Sequence, residues 1–120
     1  MDAKEIVTAY YNSDIFSNTD VVNRFVHEDL VFEWQSSKGF LKLDKAGLVD
    51  LVTELKKAYS SYRLDIQHLI ADGHKACVRY THYVNAIENP GEEVVLGYFV
   101  IIWEVKERKL YRGYLMSQAG

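Results

Sequence analysis

The chain has 120 residues, of which 48% are apolar and 26% charged, with a formal net charge of −3. This size and composition predict a single globular domain over residues 1–120 with a buried core, and the mild acidity argues against a nucleic-acid-binding protein. No signal peptide opens the sequence and no apolar run reaches membrane-spanning length, so we expect a cytoplasmic protein without membrane contact. The single cysteine, Cys77, excludes an intrachain disulfide.

Three amphipathic helices are predicted in the first half of the chain, at about residues 2–15, 19–26 and 45–59. Asn18 or Thr19 is suited to cap the second helix, and Asp44 the third, because short polar side chains accept hydrogen bonds from the first turn. Between these two helices, residues 30–35 alternate as a half-buried strand, and residues 40–43 predict a short edge strand.

From Tyr62 onward the apolar residues follow a period of two. Turn signals at 72–73, 89–91 and 107–108 divide this region into four long strands. The order of elements predicts an α+β fold, in which three N-terminal helices pack in the concave face of a strongly curved mixed or antiparallel sheet. The expected shape is a cone-like α+β barrel.

The register of the first long hairpin decides which side chains face the helices. A strict two-residue turn at Asp72-Gly73 would mix the polar and apolar faces, whereas a three-residue turn with Gly73 left-handed keeps them apart. The second register pairs Ile66 with Tyr80 and Leu64 with His82. It predicts three polar-tipped side chains on the inner face: His68, Tyr80 and His82.

The third long strand, about 94–105, is apolar on both faces. One row is Val95, Phe99, Ile101 and Trp103, and the other is Val94, Leu96, Tyr98, Val100 and Ile102. An antiparallel sheet usually leaves one face to water, so a doubly apolar strand predicts a covered outer face. Because no helix remains to cover it, we expect a homodimer through the outer face of the sheet.

This arrangement resembles the nuclear transport factor 2-like superfamily, which includes ketosteroid isomerases, SnoaL-type polyketide cyclases and non-catalytic binding domains. The resemblance rests on the segment 25–33 and on the final hairpin, Trp103 to Tyr114. It implies that Tyr10 stands where ketosteroid isomerases place an oxyanion-binding tyrosine. Trp34 and Phe99 stand where those enzymes have their two aspartates.

The acid–base sets of these enzymes are missing from the sequence. SnoaL-type cyclases favour an aspartate near the end of the last strand, where this chain reads Tyr114-Leu115-Met116-Ser117-Gln118. A pocket histidine, His82 or His68, is a possible replacement base, since imidazole titrates near neutrality. The alternative is a core histidine that a tyrosine hydroxyl or a backbone group satisfies. The resemblance implies no cofactor, and the four histidines lack metal-ligand spacing.

Two functional hypotheses follow. In the first, the protein is a small-molecule pocket protein that binds an apolar or aromatic ligand and uses His82 and Tyr10 for isomerisation, cyclisation or hydration. Its pocket would be lined by Trp34, His68, Tyr80, Phe99 and Tyr114. Trp34 is equally consistent with ordinary core packing. In the second hypothesis the protein is a non-catalytic homodimeric binding or scaffold domain, whose own side chains fill the cavity.

Overall fold

Three helices pack on one face of a six-stranded mixed sheet in the computed structural model, which describes residues 2–120. The helices are α1 Ala3–Tyr11, α2 Thr19–Phe25 and α3 Lys45–Ala58. The strands are β1 Val26–Ser36, β2 Gly39–Leu43, β3 Tyr59–Asp72, β4 Lys75–Ala86, β5 Asn89–Lys106 and β6 Lys109–Ala119. This confirms the predicted α+β fold.

The strand order is β2-β1-β6-β5-β4-β3. All neighbouring strands are antiparallel except β1 and β6, which run parallel. The four long strands β3 to β6 therefore form the predicted meander. Since β2 and β3 are the two edges, the sheet does not close into a complete barrel. None of the helices among residues 2–120 is long and apolar enough to cross a membrane.

The predicted helix caps of α2 and α3 are confirmed. The side chain of Asn18 accepts a hydrogen bond from the Asp20 amide at 3.0 Å, and Asp44 accepts one from the Gly47 amide at 2.8 Å. The first helix ends at Tyr11, four residues before the predicted end. The stretch that follows is rich in residues that compete with the helix through their own side-chain hydrogen bonds.

The predicted register of the β3–β4 hairpin is confirmed at its centre. Ile66 pairs with Tyr80, and Leu64 pairs with His82. Gly73 has a φ of +61°, the left-handed conformation that was expected of it. His82 therefore lies on the inner face of the sheet, toward the helices.

Nearer the turn, the predicted register is wrong because β3 contains a bulge at Gln67. Beyond the bulge, His68 pairs with Arg79 instead of continuing the inner row. The turn is consequently a two-residue turn, Gly73-His74, and not a three-residue one. The extra residue reverses the facing of the strand, so His68 lies exposed on the outer face.

Of the other two predicted turns, one is confirmed and one is displaced. Glu107 and Arg108 both have positive φ values, 54° and 63°, as a two-residue type I′ turn requires. The middle turn lies at residues 87–88, not at 89–91, because Ala86 already pairs with Asn89. Pro90 is therefore the second residue of β5, next to a shift in the ladder.

The strand β5 separates the core from the outer surface. Its inner residues Ile101 and Trp103 are buried, and the Trp103 indole donates a hydrogen bond to the Tyr11 hydroxyl at 3.0 Å. Its outer residues include Tyr98, Val100 and Ile102, which are 51%, 41% and 44% exposed. The inner row is thus anchored to α1, while the outer row is an exposed apolar surface.

Candidate functional site

A cavity of about 160 Å³ opens beside the inner face of β4. We call it the His82 cavity. It is lined by Phe16, Ser17, Leu55, Lys56, Tyr59, Ser60, Ser61, Tyr62, His82 and Val84. Its inner end is formed by the buried residues His82 and Val84, and its outer end by exposed residues of α3 and β3. A dry cavity of about 150 Å³ admits benzene, so this one has room for a single ring.

Three aromatic rings hold the imidazole of His82, which is only 2% exposed. Phe16 stacks on it, with ring centroids 4.7 Å apart and planes inclined by 18°. Tyr62 meets it edge-on at 5.8 Å, and Phe99 is tilted against it at 5.9 Å. The ring is therefore fixed in orientation at the inner end of the cavity.

The His82 imidazole is neutral at pH 7. Burial disfavours its charged form and lowers its pKa to about 4. Every fully enclosed side-chain nitrogen or oxygen among residues 2–120 has a hydrogen-bond partner. No group in that part of the chain bonds the His82 nitrogens, so they face the space of the cavity. The site thus offers one N–H donor and one basic nitrogen to a small molecule.

Besides Tyr59, the cavity wall includes Tyr62, whose ring contacts that of His82. Its hydroxyl interacts with Ser17 and with the backbone of Ile15 and Phe16. Partial burial raises its pKa, so the phenol stays protonated at neutral pH. A phenol and a neutral imidazole therefore share one wall, which pairs a proton donor with a proton acceptor.

Tyr10 lies in the same core but not on the cavity wall. It contacts Tyr11 edge-on at 5.1 Å and Trp103 at 5.9 Å. Burial raises the pKa of Tyr10, with nearby Tyr11 as the second cause. Its hydroxyl therefore stays protonated at neutral pH, and Tyr10 does not line the His82 cavity.

Tyr80 and Phe99 connect this tyrosine cluster to His82. Their rings stack 5.2 Å apart at 9°, and Phe99 in turn touches His82. Tyr80 is buried against Tyr11, with centroids 5.7 Å apart, and burial raises its pKa. Phe99 therefore packs directly against the imidazole, and Tyr80 packs against Phe99. Neither residue lines the His82 cavity.

Trp34 lies away from the His82 cavity. Its indole donates a hydrogen bond to the Ser117 hydroxyl at 2.7 Å, joining β1 to the end of β6. It is half-buried and packs against the core.

Tyr114 and His68 do not line the His82 cavity, and Tyr114 instead lines a second, larger groove together with Tyr80 and Phe99. Tyr114 pairs with Ile102 on the outer face, and its exposed hydroxyl donates to Glu104 at 3.0 Å. The inner row of β6 instead runs through Gly113 and Leu115, opposite the inner row of β5. His68 lies on the outer face because of the bulge at Gln67.

Of the ten residues that line the cavity, the sequence predicted only His82 as a site residue. Three of the nine that were missed matter most to its chemistry: Phe16, Lys56 and Tyr62. The register that pairs Leu64 with His82 also places Tyr62 on the inner face one step along, so Tyr62 could have been found. Phe16 lies in the loop after α1 and Lys56 on the polar side of α3, where no periodicity indicates a site.

The described part of the chain, residues 2–120, contains no group of three or more His, Cys, Asp or Glu side chains that could hold a metal ion. The chemistry that the cavity supports with its own residues is proton transfer or hydrogen bonding to one ring-sized ligand.

Comparison with known proteins finds a family model described as the SnoaL-like domain, which matches residues 7–113. No protein of curated function matches the chain. Several solved structures share the fold. One is IdmH from Streptomyces antibioticus, a candidate polyketide cyclase, with a TM-score of 0.81, 11% identity and coverage of 98% of this chain and 92% of that one.

Two further structures come from proteins of different activity. AclR from Streptomyces galilaeus, a candidate hydroxylase, has a TM-score of 0.78 and 14% identity, with 96% of this chain and 77% of that chain covered. An LEH-like epoxide hydrolase from M. tuberculosis has a TM-score of 0.73 and 18% identity, with 96% and 81% covered. At these identities the likeness shows the fold and not an activity.

Proposed function

Because the chain belongs to the SnoaL-like domain family, within the nuclear transport factor 2-like superfamily, we propose that it binds a small apolar or aromatic molecule in the His82 cavity and catalyses cofactor-free acid–base chemistry on it. Isomerisation, cyclisation and hydration are the reaction types that such proton transfers serve. The observation that carries the proposal is a buried, neutral imidazole whose nitrogens face a ring-sized cavity.

In this proposal His82 accepts the proton. Its pKa of about 4 keeps the basic form fully populated at neutral pH but makes it a weak base. It therefore suits a substrate whose own C–H or O–H proton is acidic, such as one next to a carbonyl group. Fixing the base and the substrate in one orientation lowers the entropic cost of the transfer.

The proton donor in this proposal is Tyr62, since it lines the cavity together with His82. Tyr10, the donor expected from the sequence, does not line the cavity, and it acts on the site only indirectly, by raising the pKa of Tyr80. A phenol donor is suited to stabilise an oxyanion that forms when the substrate loses its proton.

The experiment is a ligand-observed NMR screen of one-ring aromatic and cyclic carbonyl compounds, followed by turnover assays on the binders. His82→Ala should lower turnover by about 100-fold, as for loss of a general base. His68→Ala is the matched control, because His68 is exposed on the outer face, and it should leave turnover unchanged. Equal activity of wild type and His82→Ala would overturn the catalytic proposal.

A non-catalytic scaffold is the second candidate function, and one observation favours it. Large side chains already fill the core beneath the sheet, where Tyr10, Tyr11, Tyr80 and Trp103 pack together. Binding confined to the outer face, with no ligand in the His82 cavity, would support this alternative.

We also propose that a second copy of the chain covers the outer face. The outer-row residues Tyr98, Val100 and Ile102 of β5 line a groove. Its lining also includes Arg79 from β4 and Glu33 from β1. Neither residue forms a salt bridge among residues 2–120. A two-fold dimer could pair Arg79 of each copy with Glu33 of the other across the apolar row, which is the self-complementarity that such a dimer needs.

A further inference from the structure

The outer end of the His82 cavity carries one cation. Lys56 is the only charged residue among those that line the cavity. It forms no ion pair within residues 2–120, whereas the adjacent Lys57 contacts Glu54 at 3.5 Å. Asp14, a carboxylate that acts on Tyr62, is exposed and does not line the cavity.

The serine hydroxyls at this end already have acceptors. Ser60 donates to the Asn85 carbonyl at 3.1 Å, and Ser61 donates to the Asn85 side-chain oxygen at 2.9 Å. Ser17 interacts with the Tyr62 hydroxyl. The Lys56 ammonium and the Tyr59 hydroxyl are therefore the donors at the outer end that remain available for a ligand, and of the two only the ammonium is charged.

The two ends of the cavity thus differ in chemistry. The inner end is aromatic and neutral, with Phe16 and Tyr62 around the imidazole of His82. The outer end is exposed and positive. A molecule that fits both ends has a flat ring at one end and an anionic oxygen at the other.

We propose that the ligand of the His82 cavity is a one-ring aromatic molecule bearing a single carboxylate, which Lys56 binds at the outer end while the ring enters toward His82. This inference rests on the proposed ligand-binding function of the same cavity. Among the apolar or aromatic molecules proposed above, it selects aromatic acids that carry one negative charge.

Lys56 also has a purely structural explanation. It lies in the last turn of α3, where a cation complements the partial negative charge of the helix end. Lys57 occupies the same turn and shares that role, but it does not line the cavity. Comparing equivalent changes at the two lysines therefore separates ligand binding from helix stabilisation.

The test compares benzoate with benzamide, which share a ring and nearly the same shape but differ in charge. Dissociation constants are measured on the full chain by NMR titration of the His82 ring signals. Wild type should bind benzoate about fivefold more tightly than benzamide, the size expected of an exposed ion pair. The preference should shrink when salt is added, because exposed charges are screened.

Three substitutions test whether Lys56 causes the preference for benzoate over benzamide. Lys56→Met should remove the preference and leave the benzamide affinity within about twofold of wild type. Lys56→Arg should retain the preference. Lys57→Met should change neither affinity. Equal binding of the two probes to wild type, or a preference that survives in Lys56→Met, would overturn the anion selection while the cavity function stands. If neither probe moves the His82 signals of wild type, the proposed cavity function fails, and the anion selection fails with it.

Discussion

The imidazole of His82 lies flat against the ring of Phe16, with centroids 4.7 Å apart and planes inclined by 18°. Phe16 comes from the loop after α1, and His82 comes from the middle of β4. This contact covers one face of the imidazole, while Tyr62 and Phe99 bound the other sides. The ring is therefore shielded from bulk water but keeps its nitrogens toward the cavity.

The first prediction concerns stability and pH. The pKa of His82 is about 4 in the folded protein and near 6.5 in the unfolded chain. The unfolded state therefore binds the proton first as the pH falls. The free energy of unfolding is therefore highest above pH 6.5, where His82 is neutral in both states. As the pH falls from 6.5 toward 4, the free energy of unfolding decreases by at most about 3 kcal/mol.

Urea unfolding at several pH values between 4 and 7 measures this loss. In His82→Gln, the slope of the unfolding free energy against pH should decrease by the equivalent of up to one bound proton. His68→Gln is the control, because it removes an exposed imidazole. Identical pH slopes for wild type and His82→Gln would contradict a neutral, buried His82.

The second prediction concerns Phe16. Phe16→Ala should open the cavity to water and raise the pKa of His82 toward its ordinary value, because desolvation is the cause of the shift. Phe16→Leu should raise it less, since leucine still covers part of the ring. NMR titration of the imidazole measures both, and an unchanged pKa in Phe16→Ala would show that Phe16 does not shield the site.

The third prediction concerns close packing at Gly113. A Cβ atom there would lie 2.8 Å from ring atoms of both Phe32 and Trp103. Gly113→Ala should lower the free energy of unfolding by about 1–3 kcal/mol, because the core would be overpacked. A Cβ atom at Gly91 would meet no other atom within 4 Å, so Gly91→Ala is the control. Equal thermal denaturation midpoints for the two variants would contradict this packing.

The fourth prediction concerns assembly. Ile102→Lys places a charge in the exposed outer row and should yield a folded monomer where wild type sediments as a dimer at tens of micromolar. Ile70→Lys charges an exposed residue outside the groove and should leave the dimer intact. Ile101→Lys should unfold the protein, since Ile101 is buried. A monomeric wild type would contradict the dimer.

The sequence was sufficient for the architecture and for the position of His82. Periodicity identified three helices and a meander, and the polar–apolar match of the hairpin fixed the pairing of Leu64 with His82. These features depend on which face of an element is buried, and that information is written directly in the order of residues.

Apart from Tyr62, which the hairpin register places on the inner face, the rest of the site depends on information that no sequence pattern carries. The bulge at Gln67 changes the facing of His68 by one inserted residue, and an alternating sequence does not signal it. Tyr114 lies on the outer face, outside the His82 cavity, because the pairing of Gly113 with Trp103 places Gly113 and Leu115 in the inner row of β6. Phe16 reaches the cavity from an irregular loop, where only the tertiary structure brings it near His82.

The most direct test of the account is a long-range ¹H–¹⁵N spectrum of the four histidine rings, recorded while benzoate or benzamide is added. His27, His68 and His74 serve as internal controls, because none of them lines the His82 cavity. We predict that the signals of His82 alone shift in a saturable manner, as expected for a ligand that contacts its nitrogens. Signals of His82 that stay fixed with both probes, or that shift no more than those of the three controls, would contradict a ligand site at His82.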